Sequence, residues 1–165
     1  MVAGDEDNII ASHEQSFGEN YGLMRFEPQE IKGEFRNYWQ NSCGAIRVNF
    51  DQDSIDRISE NALMLVPKMM DICLNKANRK IEDITWILTH QPNRYFIEQW
   101  RSALHVKESQ GYGTLEKYGN LFQGSTPVTL ADDLEKKLFK SGDTVCMGTF
   151  SNGGDYGTAM LIKLL

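Results

Sequence analysis

Long hydrophobic runs and an excess of positive charge are both missing from this 165-residue sequence. A membrane-spanning helix needs ~20 consecutive apolar residues, and no stretch approaches that length. The net charge of −6 argues against binding a phosphate backbone, because nucleic-acid-binding proteins usually carry a basic face. No charged and then apolar leader opens the chain. We therefore expect a cytoplasmic protein that binds neither nucleic acid nor membrane.

Cysteine is also scarce, which argues against two further classes of protein. The three cysteines, Cys43, Cys73 and Cys146, are widely spaced, with no CxxC pair and no companion histidines. This pattern fits neither a zinc site nor a disulfide framework, so we expect reduced thiols and no bound metal. Cys73 lies on an apolar helical stripe and Cys146 within a strand, and both are predicted to belong to the core.

The apolar content of 41% is enough for one hydrophobic core, and the length suits a single domain spanning residues 1–165. Residues 1–44 are broken by glycine and proline, which favours short strands and loops. The segment Ala45–Phe50 alternates apolar and polar residues, as a half-buried strand does.

Helical and strand patterns then alternate. Apolar residues at three- and four-residue steps predict a helix from Asp53 or Ser54 to Asn75, with a kink at Pro67. A β-rich run follows, and a second helix opens at Asn93. The β-rich run is the strand Ile84–Leu88, and the later elements are the helix Ser125–Phe139 and the strands Thr144–Thr149 and Tyr156–Leu164. Together these elements predict an α/β fold with a mixed sheet flanked by helices.

Two polar residues stand where a strand or loop gives way to a helix. His90 follows the strand at Ile84–Leu88, and ligands of α/β sheets bind beyond the carboxyl ends of strands. Asn120 lies in a Tyr-Gly-Asn turn before a helix. The two side chains could point hydrogen-bond donors at one substrate oxygen. Each residue also has a structural alternative. For His90 it is a hydrogen-bonded structural role, and for Asn120 it is a helix N-cap.

Three segments, in order, carry a resemblance to a known family. They are His90-Gln91-Pro92-Asn93, Tyr118-Gly119-Asn120, and the glycine-rich ending Gly153-Gly154-Asp155-Tyr156-Gly157. Together they resemble the C-terminal half of a β-ketoacyl-acyl carrier protein synthase III. These enzymes are thiolase-fold acyltransferases. The resemblance extends over most of the chain beyond about residue 40.

The resemblance implies roles for individual residues. His90 and Asn120 would be the catalytic donors that bind the thioester carbonyl of a malonyl group and stabilise the enolate formed on its decarboxylation. Backbone N–H groups of Asn152 and Gly153 would form an oxyanion hole, and Asn93 and Arg94 would help to dock the substrate or its carrier. Acyl-coenzyme A or acyl carrier protein thioesters would be the substrates, with no bound cofactor.

The chain departs from the family pattern at three motif positions and lacks a match to the family's nucleophilic cysteine. Asn152 stands where the family has glycine, Pro92 replaces a small residue, and Tyr95 replaces an arginine. No segment resembles the family's nucleophilic cysteine. Cys43 leads into a strand rather than a helix N-terminus, where a thiolate would be stabilised, and is therefore predicted to be an ordinary loop residue.

The expected function is accordingly half of an enzyme. The chain would be either one subunit of a split enzyme or a processed fragment. A second chain would carry the N-terminal thiolase half and its cysteine, and the isolated chain would be inactive. The enzyme would serve fatty acid, polyketide or secondary metabolite synthesis. A non-catalytic subunit that stabilises an active ketosynthase is the main alternative. An unrelated α/β binding domain with a coincidental histidine and asparagine is a third.

Overall fold

The computed structural model describes residues 8–28, 30–31, 34–35, 46–49, 52–151 and 153–165. Its strands and helices follow the alternation expected of an α/β fold. The strands are β1 (Ile9–Ser16), β2 (Arg25–Pro28), β3 (Glu30–Ile31), β4 (Glu34–Phe35), β5 (Ile46–Asn49), β6 (Trp86–Thr89), β7 (Thr144–Ser151) and β8 (Tyr156–Lys163). The α-helices are α1 (Gln52–Lys76), α2 (Arg94–Ala103), α3 (Leu115–Tyr118) and α4 (Ser125–Glu135).

A four-stranded mixed sheet in the order β1-β8-β7-β6 organises the molecule. Strand β8 runs antiparallel to both of its neighbours, whereas β6 and β7 are parallel. Helices α2, α3 and α4 lie in the connection between these parallel strands, as parallel pairing requires a crossover. The expected mixed sheet flanked by helices is confirmed.

Helix α1 packs its apolar stripe against β1, β7 and β8. Its buried side chains include Met69, Met70 and Cys73, which join the main core cluster. Gly148 in β7 allows this close approach, because an added Cβ would lie 2.6 Å from Sδ of Met70. The indole Nε1 of Trp100 donates to the Ala62 carbonyl at 2.8 Å and fixes α2 beside α1.

Most predicted boundaries hold within a few residues. Helix α1 continues through Pro67 without interruption, and α2 begins one residue after Asn93. The prediction that the last helix extends to Phe139 is wrong, because α4 ends at Glu135. Lys137 takes a left-handed conformation there, and the Leu138 amide donates back to the Asp133 carbonyl at 3.2 Å. This pattern is a Schellman cap, formed without glycine.

The N-terminal region is more regular than expected. Strand β1 is eight residues long and pairs along β8, far away in sequence. The predicted strand at 45–50 appears as β5, paired with β2. Cys73 and Cys146 are both fully buried, as predicted. Cys43 lies outside the described residues.

No helix among the described residues is both long and apolar enough to cross a membrane. Nor do these ranges contain a group of three or more histidine, cysteine or acidic side chains arranged to hold a metal ion.

Candidate active site

A cavity of about 550 Å³ opens beside the carboxyl end of β6. Its walls are mostly apolar and aromatic, and its polar residues include both His90 and Asn120. The lining is Met24, Phe26, Ile55, Ile58, Ser59, His90, Pro92, Asn93, Phe96, Asn120, Phe122, Gln123 and Phe150. An apolar cavity with a few convergent polar groups is the usual form of a small-molecule site.

His90 is held where β6 ends. Its main-chain N–H donates to the Gly148 carbonyl at 2.9 Å, and its ring packs edge-on against Phe150, with ring centres 5.5 Å apart. Burial lowers the pKa of His90 to about 4, and a backbone contact with Phe122 acts in the opposite direction. Its buried Nδ1 has no hydrogen-bond partner among the described residues. The imidazole is therefore neutral at pH 7.

Neighbouring residues hold this segment rigidly. The buried Gln91 side chain donates to Oγ1 of Thr129 at 3.1 Å and accepts from the Thr114 amide at 2.8 Å. Asn93 caps α2, because its Oδ1 accepts from the Phe96 amide at 3.0 Å. The strand end bearing His90 is thus tied both to α4 and to the first turn of α2.

The side chain of Asn120 is held by a main-chain amide two residues further along the chain. Its Oδ1 accepts from the Phe122 amide at 2.9 Å, which places it in a tight turn before the single-turn helix Phe122–Gly124. It therefore does not cap α4, which begins only at Ser125. Within the described part of the chain, Nδ2 makes no hydrogen bond. The amide nitrogen is the group that Asn120 can offer to a ligand.

The glycine-rich turn is anchored from two sides. Asn20 is buried, and its Nδ2 donates to the Gly154 carbonyl at 2.9 Å, while its Oδ1 accepts from Nδ2 of Asn61 at 2.9 Å. Gly154 has φ of +91°, and a Cβ on Gly153 would lie 2.6 Å from Cβ of Leu23. Asn152, the other predicted oxyanion residue, lies outside the described residues.

Of the two predicted docking residues, Asn93 lines the cavity and Arg94 does not. Asn93 lines the cavity as well as capping α2. Arg94 is exposed and forms an ion pair with Glu116 in α3. A carboxylate partner occupies its guanidinium, so docking through Arg94 would have to displace Glu116.

The arrangement brings two neutral donors to one cavity. A neutral imidazole and a carboxamide nitrogen can both donate to an oxygen that gains negative charge, the arrangement that stabilises oxyanions and enolates. Sequence reasoning missed Phe122, whose N–H donates to Oδ1 of Asn120 at 2.9 Å. Its place two positions after the Tyr-Gly-Asn turn was the available signal, but nothing in the sequence marks its left-handed backbone.

Residues 74–163 match the family described as 3-oxoacyl-acyl-carrier-protein synthase III, C terminal. Among curated proteins, the chain is 31% identical over 117 residues to beta-ketoacyl-acyl-carrier-protein synthase III of Campylobacter curvus, covering 71% of this chain and 35% of that one. It is 26% identical over 157 residues to the Campylobacter jejuni enzyme of the same name, covering 95% and 45%. The chain thus spans less than half the length of these relatives.

Solved structures agree on the fold. A 3-oxoacyl-acyl-carrier-protein synthase III from Pseudomonas aeruginosa superposes with a TM-score of 0.76 and 16% identity over 98% of this chain and 47% of that one. The priming beta-ketosynthase of the R1128 polyketide pathway gives 0.78 and 18% identity, over 98% and 46%. Its matched family and its fold together assign this chain to the C-terminal domains of the synthase III condensing enzymes, a family of the thiolase fold.

Proposed function

We propose that this chain supplies the thioester-binding half of a condensing acyltransferase site. His90 and Asn120 are the two donors that hold the carbonyl oxygen of an extender thioester. The observation that carries the proposal is that both side chains line one cavity although 30 residues separate them in sequence. Their hydrogen-bonding states support the role, since His90 is neutral at pH 7 and Asn120 has its oxygen already occupied.

The proposed chemistry is decarboxylative condensation. Loss of carbon dioxide from a malonyl thioester breaks a carbon–carbon bond and leaves the electron pair as an enolate. Two neutral donors stabilise the oxygen more in the transition state than in the ground state, because charge develops there during the step. The enolate carbon then attacks an acyl group held as a thioester on a cysteine, whose thiolate leaves. Acyl-coenzyme A or acyl carrier protein supplies the acyl groups.

We further propose that the nucleophilic cysteine belongs to a second chain with the N-terminal thiolase half. The described thiols support this, because Cys73 and Cys146 are fully buried in the core rather than at the cavity. Backbone N–H groups of Asn152 and Gly153 would complete the site as an oxyanion hole. Asn93 and Arg94 would lie at the substrate entrance.

Kinetics of the reconstituted complex test the donor roles. His90→Ala and Asn120→Ala should each slow condensation on the order of 10²–10³-fold and leave acyl loading of the partner's cysteine nearly unchanged, because the donors act after loading. His105→Asn and Asn75→Ala are matched controls, since both positions are exposed. Stopped-flow release of carbon dioxide and intact-protein mass spectrometry separate the two steps.

Equal loss of both steps in the donor variants would refute the assignment. Full condensation activity in these variants would favour the alternative of a non-catalytic, stabilising subunit. Purifying the tagged chain from its native cells provides a second discriminator. A half-length partner bearing a cysteine at a strand-to-helix turn supports the enzyme, and a full-length synthase supports the stabilising subunit.

A further inference from the structure

A buried network of side-chain hydrogen bonds lies behind the cavity and is centred on Thr129 of α4. The Thr129 side chain is fully buried. Its Oγ1 accepts from Nε2 of Gln91 at 3.1 Å and lies 2.7 Å from Oγ1 of Thr114. The same oxygen donates to the Ser125 carbonyl at 2.8 Å. One hydroxyl thus joins three other parts of the chain.

The number of protons available fixes the direction of each bond. A threonine hydroxyl has one proton to donate and two lone pairs that accept. The proton of Thr129 goes to the Ser125 carbonyl, so Thr114 is the donor in the bond between the two threonines. The Thr129 hydroxyl is therefore fully used. A hydrocarbon in its place would leave the buried amide of Gln91 without its acceptor, which is costly inside a protein.

The network reaches both proposed donors through short pieces of main chain. Gln91 directly follows His90, and its Oε1 accepts from the Thr114 amide at 2.8 Å. The Thr114 carbonyl in turn accepts from the Tyr118 amide at 2.9 Å, across the single turn of α3. Asn120 follows two residues later. The strand end that carries one donor is thus bonded to the helix that leads to the other.

Thr114 makes this long-range contact in place of a local one. It stands at the N-cap position of α3, where a threonine hydroxyl usually accepts from an amide of the first turn. Its hydroxyl makes no such cap and bonds to Thr129, 15 residues away. Gly113 lets Gln91 approach, since an added Cβ would lie 3.3 Å from its Nε2.

We infer that Thr129 is a positioning residue that fixes the strand end bearing His90 relative to the turn bearing Asn120. Thr129 itself does not line the cavity. Naming these two residues as donors rests on the proposed function, whereas the network belongs to the chain alone. Two donors stabilise one oxygen only when both point to it, and misplacement by about 1 Å can cost on the order of 10²-fold in rate.

Hydrogen exchange of the Thr114 amide, followed by nuclear magnetic resonance of the full chain, tests the network without substrate. This amide bonds to Gln91 and not to Thr129, so it reports on the network beyond the substituted side chain. Thr129→Val should speed its exchange at least about tenfold. Thr129→Ser keeps the hydroxyl and should leave the exchange within about threefold of wild type.

A core substitution controls for a general loss of stability. Ile84 is buried just before β6, at the opposite end of that strand from His90. Ile84→Val loosens the core without touching the network, so the Thr114 amide should keep its protection. Thr129→Cys covers the case in which the valine variant does not fold, because sulfur is a weak acceptor and the exchange should again accelerate.

Kinetics of the reconstituted complex test the effect on the donors. Thr129→Val should lower kcat for condensation about tenfold, change KM by less than about threefold and leave acyl loading intact. In an Asn120→Ala background, the same substitution should cost less than about threefold, because mutual placement matters only when both donors are present. A merely structural role would give the same loss in both backgrounds.

Two results would overturn the inference. One is unchanged exchange of the Thr114 amide in Thr129→Val, or equal acceleration in the valine and serine variants. The other is an equal kinetic loss from Thr129→Val with and without Asn120. Failure of the proposed function would look different, because Asn120→Ala alone would then condense at the wild-type rate. Hydrogen exchange would still decide whether Thr129 fixes the two segments.

Discussion

At the scale of single residues, two buried ionisable side chains, His90 and Asp133, have shifted pKa values. His90 is buried beside Phe150, and Asp133 is buried without a hydrogen-bond partner for either carboxylate oxygen in the described chain. Burial disfavours the charged form of both groups. The two side chains therefore make opposite contributions to stability as pH changes.

His90 should remain neutral down to unusually low pH. Its pKa falls from the ordinary 6.5 to about 4 in the folded chain, so the unfolded state binds the proton more readily between these values. The contribution of His90 to stability should therefore decrease as pH drops from 6.5 toward 4, by about 3 kcal/mol at most. Nitrogen-15 titration of the ring measures the pKa. Urea unfolding measures the difference in free energy of unfolding between wild type and His90→Gln, and that difference should shift against wild type as pH falls from 6.5 to 4, because Asp133 contributes equally to both proteins.

Asp133 should show the reverse dependence. Burial, and then the charge of Asp132, raise its pKa from 3.8 to about 7, so the folded state holds the proton more tightly than the unfolded state. The contribution of Asp133 to stability should fall as pH rises from about 4 to 7, opposite to the contribution of His90. Asp133→Asn should stabilise the chain by about 1–3 kcal/mol at pH 8 and by little at pH 4, because it removes an unpaired buried carboxylate.

A matched substitution provides the control for Asp133. Asp53 is exposed in the first turn of α1, and Asp53→Asn should change the free energy of unfolding by less than about 0.5 kcal/mol at either pH. Urea unfolding at the two pH values measures both variants. A destabilised Asp133→Asn at pH 8 would mean that the carboxylate has a partner in solution.

At the scale of elements, the ends of the helices follow one rule. α1, α2 and α4 are each followed by a non-glycine residue in the left-handed region, namely Asn78, His105 and Lys137. In each case the next amide donates back to a carbonyl five residues earlier. Glycine is the usual residue at this position because its backbone adopts positive φ without strain.

Replacing Lys137 by glycine should therefore stabilise the chain by about 1 kcal/mol, because a left-handed backbone costs roughly that much for other residues. Ala131→Gly is the matched control, since it places glycine at an exposed interior position of α4 and should destabilise by about 0.5–1 kcal/mol. Thermal unfolding compares the two. A destabilised Lys137→Gly variant would show that the Lys137 side chain makes a larger contribution than its backbone strain.

These elements show what sequence could and could not predict. The periodicity of α2 and its cap at Asn93 are local, so its face of Phe96, Ile97 and Trp100 could be read directly. The end of α4 could not, because no glycine marks Lys137. The pairing of β1 with β8 joins residues at least 140 positions apart and leaves no local signal. His90 and Asn120 could be found through motifs, whereas nothing in the sequence marks the left-handed backbone of Phe122.

At the scale of the whole molecule, α4 turns its polar side inward. Thr129, Asp132 and Asp133 are buried, and Asp132 accepts from Lys117 at 2.8 Å and Lys136 at 2.6 Å. Two apolar side chains of α4 and the turn after it are exposed, Leu134 at 50% and Leu138 at 39%. We propose that these side chains face the partner chain, because contiguous exposed apolar surface marks interfaces and the chain covers less than half of its relatives.

Leu134→Lys should therefore weaken binding of the proposed partner chain at least about tenfold, since it places a charge in an apolar contact. Met64→Lys is the matched control, because Met64 is also exposed, at 71%, but belongs to α1 rather than α4. Titration calorimetry measures both affinities. Equal affinities for the two variants would exclude α4 from the interface.

The most direct test of the split site is intact-protein mass spectrometry after incubation with acyl-coenzyme A. If the nucleophile belongs to a partner, the purified 165-residue chain should gain no acyl mass. Addition of the partner should produce one acyl thioester, located on the partner's cysteine. Acylation of Cys43 in this chain alone would contradict the account.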